Sequence, residues 1–343
     1  MNLLFPAVIS FLLTFFTIPP TIKFARRFGL IDDPKKRPHP AHTQKRVVPR
    51  AGGLAVFISL FITILFFIPI GKTTFGILSG LTILLIIGLL DDKYQNLSPY
   101  NRLIGQFAAA IIFVLSGVGI NFITNPMGGI IYLDFFKFLP EILAVIWIVW
   151  VMNMINWSKG IDGQMPGIVS VAAFILGLLS FKLNLLSVST LSFLTAGASL
   201  ALLIFNWHPA KIFPGFSGST ILGFMIAILA ILSGAKLATA GLVLLIPATD
   251  FAYTFLRRIM QGKSPVWGDR GHLHHKLLDV GFTHRQISLF YILGSVILGA
   301  IALNLSSQGK LFAASLVASI ILGLILWLNF FGGLSKPHAP DNG

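Results

Sequence analysis

The sequence predicts an all-α, polytopic integral membrane protein with about eleven transmembrane helices and a cytoplasmic active-site face. Of its 343 residues, 55% are hydrophobic and 10% are charged, and its mean hydropathy is +0.87. A soluble domain carries roughly 25% charged residues. Apolar runs of membrane-spanning length recur from Leu3 to Trp327 without a long polar block between them. We therefore expect one integral membrane domain over residues 1–343 rather than a soluble domain with an anchor.

The predicted spans are apolar stretches of roughly 16 to 20 residues. They lie at 3–22, 53–71, 75–90, 103–122, 138–155, 166–181, 185–206, 218–234, 237–256, 287–305 and 311–332. The third, sixth and eighth runs are short, so ten spans would also fit the pattern. The first run has no basic segment before it and no small-residue cleavage site. We expect it to be a retained helix rather than a signal peptide.

The distribution of basic residues predicts the orientation. Of the 25 Lys and Arg residues, 20 fall in the loops after odd-numbered spans and in the C-terminal tail. The positive-inside rule then places these loops and the C-terminus in the cytoplasm, and the N-terminus outside the cell. In a protein of the plasma membrane, the formal net charge of +14 is explained by contacts with membrane lipids rather than with nucleic acid.

Acidic residues concentrate on the same predicted side. Among the eleven Asp and Glu residues, Asp134 and Glu141 alone fall in the opposite loops. The chain contains no cysteine, which excludes a disulfide framework, a thiolate metal site and a cysteine nucleophile. Polar chemistry is therefore expected at the cytoplasmic face, carried by carboxylates, amides, imidazoles and cations.

Two adjacent acids, Asp91 and Asp92, end the very apolar run from Leu81 to Leu90. Adjacent carboxylates at the end of such a helix repel each other and lose hydration. A divalent cation, or a proton shared with a phosphate, would offset that cost. The alternative is a solvated helix end, with Ser98 and Pro99 starting the next helix.

Three further loops contain glycine next to polar residues. Arg50 precedes the Gly52-Gly53 pair, where free backbone N–H groups at a helix start admit an anion. Asn153 and Asn156 share one helical face before the glycines that flank Asp162. The loop from His208 to Thr220 is similar to a glycine and serine nest, which binds anions, although a tight turn explains it equally well.

The fifth cytoplasmic loop is rich in histidine. It contains His272, His274 and His275 shortly after Asp269. Three histidines with a nearby carboxylate would suit zinc. A basic, imidazole-rich loop beside carboxylates would also suit a pyrophosphate-bearing substrate, and we favour that interpretation.

In chain order, these motifs resemble those of the polyprenyl-phosphate N-acetylhexosamine-1-phosphate transferases, the MraY/WecA-like proteins of glycosyltransferase family 4. The resemblance covers the cytoplasmic motifs from about Gly29 to His275. Its five groups of motifs are Gly29 to Asp32 with Pro49 to Gly53, Asp91 to Lys93 with Leu97 to Pro99, Asn153 and Asn156 with Gly160 to Gly163, Pro209 to Phe213 with Gly218-Ser219, and Asp269 to His275.

The resemblance implies a reaction. A polyprenyl phosphate would attack the β-phosphate of a UDP-N-acetylhexosamine, with Mg²⁺ assisting, to give a polyprenyl-diphosphate sugar and UMP at the start of cell-wall or surface glycan synthesis. Asp91 and Asp92 would activate the phosphate and contact the metal, and Asp162 would line the nucleotide-sugar site. A homodimer is also consistent with the family. The implied substrate-binding residues are Arg50, Lys93, Asn153, Asn156, Lys211, Asp269, His272, His274 and His275.

Two positions depart from the family pattern. Where the family has Asn-Leu-x-Asp-Gly-Leu-Asp-Gly, the first acid is replaced by Lys159. Where it has Phe-Met-Gly-Asp-x-Gly-Ser, the acid expected to hold Mg²⁺ is replaced by Phe216. Because magnesium is normally held by carboxylates and substrate phosphates, both changes should weaken its binding.

Three hypotheses follow from the sequence. The first is an active transferase in which catalytic Lys159 partly replaces the charge of the metal, with or without a weakly held Mg²⁺ on Asp91 and Asp92. The second is a catalytically impaired relative that binds a lipid phosphate or a nucleotide sugar. The third is a transporter or lipid flippase. The third is disfavoured because the spans contain almost no charges, whereas transport paths usually do.

Overall fold

The computed structural model describes residues 4–35, 46–95, 97–125, 129–133, 135–234, 236–264 and 270–331. Within these residues the chain is almost entirely helical, as predicted. A short 3-10 turn, Ser158–Gly160, follows the fifth helix. The α-helices are α1 (Leu4–Phe28), α2 (Gly52–Phe67), α3 (Lys72–Tyr94), α4 (Pro99–Val114), α5 (Leu139–Trp157), α6 (Gln164–Lys182), α7 (Leu186–Asn206), α8 (Gly215–Leu232), α9 (Leu237–Val243), α10 (Leu245–Met260), α11 (Leu273–Asp279), α12 (His284–Asn304) and α13 (Ser307–Phe331).

The long helices confirm a polytopic membrane protein. Within the described ranges, eight helices are long and apolar enough to cross a membrane, or nine if α9 and α10 form one bent span. The helix α2 is apolar but has only 16 residues. Each predicted apolar run coincides with a helix or with the α9–α10 pair. The count of eleven spans stays a prediction.

The helix α4 begins earlier and ends earlier than the predicted run at 103–122. Ser98 caps it by accepting a hydrogen bond from the backbone N–H of Tyr100, and Pro99 occupies the first turn. A proline there loses no helical hydrogen bond because its missing N–H would be unpaired anyway. Soon after α4 ends, Gly117 has a φ of +93°, which a helix cannot continue through. The predicted helix start at Ser98 and Pro99 is therefore confirmed, but the solvated helix end proposed with it is wrong, because Asp91 and Asp92 are buried.

The predicted run at 237–256 is two helices rather than one. The axes of α9 and α10 differ by 86° across a break at Leu244. Pro247 explains the break, because its ring clashes with the carbonyl group four residues earlier. That residue is Val243, the last of α9.

The helix α8 lies at the centre of the bundle. It packs against α2, α3, α5, α6 and α7, and its residues from Gly215 to Ile231 are buried. A helix that is apolar on all sides is stable only when it is surrounded. Close contacts of Gly53 on α2 and Gly88 on α3 with Ser217 enclose the first turn of α8.

Two pairs of short strands connect helices. The strands β1 (Ile31–Asp32) and β2 (Val48–Pro49) pair antiparallel after α1 and before α2. The strands β3 (Phe122–Thr124) and β4 (Ile130–Tyr132) form a second antiparallel pair between α4 and α5. Strands of two or three residues are too short for an alternating pattern, so the sequence did not indicate them. The first pair places Asp32 and Arg50 beside the start of α8.

Candidate active site

Asp92 connects the end of α3 to the start of α8. Its carboxylate accepts hydrogen bonds from the backbone N–H groups of Phe216 at 2.7 Å and Ser217 at 3.2 Å. The hydroxyl group of Ser217 donates a third hydrogen bond at 2.7 Å. The first N–H groups of a helix have no partner inside the helix and attract a negative charge. Asp92, which is fully buried, therefore anchors α8 in addition to any chemical role.

This close approach requires glycine at position 215. Gly215 has a φ of +73°, in the left-handed region that side chains disfavour. A Cβ atom there would lie 2.3 Å from both the carbonyl oxygen of Arg50 and a carboxylate oxygen of Asp92. Only a residue without a side chain lets these three segments meet.

Arg50 lies between two carboxylates. Its Nη2 atom is 3.5 Å from Oδ1 of Asp92, and its Nη1 atom is 4.0 Å from Oδ1 of Asp32. The backbone of Arg50 is held by a hydrogen bond to the carbonyl oxygen of Leu30. The predicted motifs around Asp32 and Arg50 are thus joined to the predicted acid pair on α3.

Asp91 is paired with a cation that the sequence analysis did not assign to the site. Nη2 of Arg102, in the first turn of α4, lies 2.7 Å from Oδ1 of Asp91. The side chain of Asp91 is 2% exposed, whereas that of Arg102 is 27% exposed. The acid is therefore buried beneath its cation.

Lys159 and Arg102 both lie over the ring of Phe216. Nζ of Lys159 is 5.5 Å from the ring centroid, and Cζ of Arg102 is 5.5 Å from it as well. Nζ of Lys159 also donates to the carbonyl oxygen of Gly215 at 3.4 Å. A ring face attracts cations through its quadrupole. Phe216, itself buried, thus organises two cations at the position where the family resemblance implies a metal ligand.

The side chains around Asp91 and Asp92 do not fit a magnesium ion. Asp92 accepts three hydrogen bonds, and each of the two carboxylates has an arginine partner. The neighbouring Lys159 and Phe216 supply a positive charge and a hydrocarbon ring instead of oxygen ligands. Magnesium requires oxygen ligands in near-octahedral geometry. The local donor set is therefore that of an anion site.

Asp162 is held by the loop that follows α7. Its Oδ2 atom lies 2.8 Å from Nδ1 of His208 and accepts a hydrogen bond from the backbone N–H of Ala210 at 3.1 Å. The amide of Asn206 accepts from the N–H of Gly163 and donates to the carbonyl oxygen of Ile212. The predicted third and fourth loops therefore form one unit.

His284 joins the same group. Its ring stacks on that of His208 with centroids 4.5 Å apart and planes inclined by 22°. Potential ligand atoms of Asp162, His208 and His284 lie within 4.8 Å of one another, which makes this a metal-compatible group within the part of the chain that the structure describes. Imidazole lone pairs lie in the ring plane, so two nearly parallel stacked rings are poorly aimed at one ion.

A second histidine and carboxylate pair lies under the fifth loop. Nδ1 of His272 is 3.0 Å from Oδ2 of Asp250, whose other oxygen accepts from the N–H of Leu273 at 2.7 Å. The rings of Trp157 and His272 form a T-shaped pair, with centroids 4.9 Å apart and planes inclined by 74°. An ionised carboxylate only accepts hydrogen bonds, so Nδ1 carries the proton and Nε2 is the nitrogen that can exchange one.

The two following histidines lie on α11 and are buried. Burial and the neighbouring imidazole of His275 lower the pKa of His274 well below its ordinary value of 6.5. Burial also lowers the pKa of His275 to about 4. Both rings are therefore neutral near pH 7. His274 contacts Gly160, where a Cβ atom would lie 2.3 Å from its Nε2 atom, so the fifth loop touches the segment that carries Lys159.

The two predicted asparagines form hydrogen bonds with different helices. Asn153 donates to Oε1 of Gln106 on α4 at 2.8 Å. Asn156 accepts from the hydroxyl group of Ser219 on α8 at 2.8 Å. Both asparagines therefore connect the end of α5 to helices that carry Arg102 and Phe216.

Comparison with known proteins assigns this arrangement to a family. Residues 74–234 match the family described as Glycosyl transferase family 4. A probable undecaprenyl-phosphate N-acetylglucosaminyl 1-phosphate transferase of Bacillus subtilis is 30% identical over 337 residues, which cover 95% of this chain and 87% of that protein. The chain belongs to glycosyl transferase family 4.

Other relatives in glycosyl transferase family 4 also align over most of the chain. A decaprenyl-phosphate N-acetylglucosaminephosphotransferase of Mycolicibacterium smegmatis is 29% identical, with 92% of this chain and 86% of that protein covered. A phospho-N-acetylmuramoyl-pentapeptide-transferase of Shouchella clausii is 29% identical, with coverage of 86% and 95%. The family resemblance inferred from the loop motifs is confirmed.

The structure does not bring all predicted site residues of this family member together. Lys93 is exposed, and its ammonium group lies over the ring of Tyr94. Lys211 is exposed, and its backbone N–H donates a hydrogen bond to the carbonyl oxygen of Phe205. Asp269 lies outside the described residues. Roles for Lys93 and Lys211 in substrate binding stay predictions.

Sequence reasoning left four neighbours of the site unassigned. Arg102, His208, Asp250 and His284 all contact predicted site residues or motifs. Asp250 carried a usable signal, because it is a carboxylate inside the apolar run predicted at 237–256, where an ionisable residue is rare and usually functional. The two histidines had no such signal, since a single histidine in a loop is usual at any protein surface.

Proposed function

We propose that this protein transfers an N-acetylhexosamine-1-phosphate group from a UDP-sugar to a polyprenyl phosphate. The products would be a polyprenyl-diphosphate sugar and UMP. The observation that carries the proposal is the group of Arg50, Arg102 and Lys159 over buried carboxylates, in a membrane protein of glycosyl transferase family 4. The named relatives are transferases, which supports catalysis over a binding-only relative or a transporter.

The chemical step exchanges one diphosphate linkage for another. An oxygen of the lipid phosphate attacks the β-phosphorus of the UDP-sugar and forms a new P–O bond. The bond between the β-phosphorus and the bridging oxygen breaks, and UMP leaves with that oxygen. Charge stabilisation and positioning supply most of the catalysis in phosphoryl transfer.

The cations over Phe216 would carry that charge stabilisation. Arg102 and Lys159 are both partly exposed at the end of the bundle, whereas Asp91 and Asp92 are buried. A guanidinium group binds phosphate oxygens with two parallel hydrogen bonds, and an ammonium group acts as a mobile point charge. In this account Asp91 and Asp92 position the cations, and Arg102 and Lys159 contact the reacting phosphates.

The nucleotide and sugar would lie towards the two histidine and carboxylate pairs. Asp162 orients His208, and Asp250 orients His272. His274 stays neutral near pH 7, so it would contact hydroxyl or amide groups rather than pair with a phosphate as a cation. Contact between His274 and Gly160 links this region to Lys159.

The remaining predictions concern the setting of the reaction. We place the site at the cytoplasmic face of the plasma membrane, with the C-terminus on that side, because the basic loops carry the site residues. Magnesium, predicted as an assisting ion, is not given a role in the step because the donors at Asp91 and Asp92 do not fit it. A homodimer stays a prediction.

An assay for UMP release tests the proposal. Membranes containing the protein are supplied with undecaprenyl phosphate and a panel of UDP-sugars, with and without a chelator. Release of UMP that requires both the lipid phosphate and one N-acetylated UDP-sugar is expected. A correctly inserted protein that releases no UMP from any member of the panel would support the binding-only relative instead.

A further inference from the structure

Every carboxylate at the centre of the site is matched by a cation. Asp32 and Asp92 share Arg50, Asp91 pairs with Arg102, and Lys159 adds a third positive charge. Three acids thus face three basic side chains, and Asp91 and Asp92 each already have an arginine partner. A metal ion would have to displace existing partners from both Asp91 and Asp92.

The carboxylates of the site are more deeply buried than the cations. Asp92 is fully buried and the side chain of Asp91 is 2% exposed, but the side chains of Arg50 and Arg102 are 13% and 27% exposed. Lys159 is half-buried. A ligand that approaches from solution therefore meets cations before it meets carboxylates, so an anion is attracted and a metal ion is repelled.

Phe216 fixes two of these cations without neutralising them. An aromatic face holds an ammonium or guanidinium group by its quadrupole, whereas a carboxylate at the same place would cancel one charge. The ring and the carbonyl oxygen of Gly215 restrain the positions of Lys159 and Arg102. Burial and the neighbouring charge of Arg50 lower the pKa of Lys159 to about 7, and a bound anion would favour its charged form.

We infer that Lys159 and Arg102, held over Phe216, form a diphosphate-binding site that works without a divalent cation at Asp91 and Asp92. These two side chains provide the positive charge that neutralises the substrate. The identity of the diphosphate as a nucleotide sugar rests on the proposed function, but the metal-free anion site does not.

The first test measures binding of inorganic pyrophosphate to the full-length protein in detergent with excess chelator. The wild type should bind, and Lys159→Met and Arg102→Met should each weaken binding at least about 10-fold, the scale of one hydrogen bond to a charged group. Lys159→Arg should retain binding. The control is Lys182→Met, at the exposed end of α6, which should bind as the wild type does. Pyrophosphate binding that requires added magnesium would overturn the inference.

A second measurement covers the case in which a methionine variant does not fold. Phe216→Leu keeps an apolar side chain but removes the ring face, so it should weaken pyrophosphate binding several-fold while Phe174→Leu on α6 leaves it unchanged. Equal binding by wild type and Phe216→Leu would contradict the role of the ring.

Manganese binding, followed by electron paramagnetic resonance, tests the metal directly. The wild type should bind no Mn²⁺ at Asp91 and Asp92 at millimolar concentration, so any signal from the group of Asp162, His208 and His284 should persist in Asp91→Asn. The double variant Lys159→Asp with Phe216→Asp should gain a site, because it supplies two carboxylates in place of a cation and a ring. Tight Mn²⁺ binding by the wild type that is lost in Asp91→Asn would overturn the inference.

These outcomes separate the inference from the proposed function. If the wild type binds pyrophosphate in chelator but releases no UMP from any UDP-sugar, the anion site stands and the proposed reaction fails. If UMP release occurs only with a metal ion bound at Asp91 and Asp92, the reaction stands and the anion site fails.

Discussion

Ser217 donates two hydrogen bonds to Asp92, one from its backbone N–H and one from its hydroxyl group, to the same carboxylate oxygen. The bonds join the last turn of α3 to the first turn of α8. Asp92 also faces Arg50, so one carboxylate fixes the position of a helix and of a cation. Loss of this contact should therefore affect folding and chemistry together.

We predict that Asp92→Asn lowers both stability and UMP release. Removing one partner of a buried ion pair costs about 3–5 kcal/mol, because it leaves the other charge uncompensated. Turnover should fall about 100-fold, the scale for misplacing catalytic groups by about 1 Å, because Arg50 and the first turn of α8 lose their anchor. Thermal unfolding in detergent and the UMP assay measure the two effects. Asp33→Asn is the control, because Asp33 is only partly buried and its side chain accepts a hydrogen bond only from the backbone N–H of Lys35 among the contacts described; it should be near wild type. Unchanged stability in Asp92→Asn would contradict the anchoring role.

Much of the bundle could be predicted from the sequence because each span is a long apolar run. The break between α9 and α10 was missed although Pro247 carried the signal, since hydropathy does not describe the clash of a proline ring with the preceding turn. The strand pairs were missed because two or three residues give no alternation. Helix packing around α8 depends on contacts at Gly53 and Gly88, which hydropathy does not describe.

The predicted site residues were mostly brought to one end of the bundle, but their partners were not foreseen. The sequence indicated that the adjacent acids need a compensating charge. It did not indicate that Arg102 would supply it to Asp91, because that pairing depends on how α3 and α4 pack. The pairs of Asp250 with His272 and of His208 with Asp162 also depend on tertiary packing, since the two members of each pair are far apart in the chain.

Gly88→Ala should disrupt the contact between α3 and the first turn of α8. Its Cβ atom would lie 2.3 Å from Cα of Ser217, and overpacking of this kind costs about 1–3 kcal/mol. We expect a lower unfolding temperature and reduced UMP release. The control is Gly323→Ala on α13, where no atom lies within 4 Å of the added carbon. A wild-type melting temperature for Gly88→Ala would show that α3 and α8 are less closely packed than described.

Asp250→Asn should impair the reaction through His272. Asparagine can turn its amide NH₂ towards Nδ1, which disfavours the tautomer that an aspartate enforces. We expect the maximal rate of UMP release to fall and its pH profile to shift, with a smaller effect on stability. Asp279→Asn breaks the exposed pair with Arg270 and should leave both rate and profile unchanged. An unaltered pH profile in Asp250→Asn would argue against positioning of His272.

Acidification should destabilise the protein through the buried histidines of α11. His275 binds a proton near pH 6.5 when unfolded but only near pH 4 when folded. Between these values the unfolded state holds more protons, so stability is greatest above pH 6.5 and falls as the pH decreases towards 4. His275→Gln should show a flatter dependence of unfolding temperature on pH. An equally steep dependence in the variant would contradict the buried, neutral ring.

The orientation can be tested by labelling. Because the chain contains no cysteine, a single cysteine at Ser98 or Ser264 gives an unambiguous signal. An impermeant thiol reagent should label either position only when it is given access to the cytoplasmic side. Labelling of intact cells at either position would reverse the orientation and move the site to the outer face.

The most direct test of the account is mass spectrometry of the lipid product formed by the purified protein. Undecaprenyl phosphate is supplied with a UDP-N-acetylhexosamine, in parallel with magnesium and with excess chelator. We predict a polyprenyl-diphosphate N-acetylhexosamine together with an equal amount of UMP, formed in chelator as well as in magnesium. The absence of any lipid-linked sugar under both conditions, from protein that unfolds cooperatively and binds pyrophosphate, would contradict transferase activity.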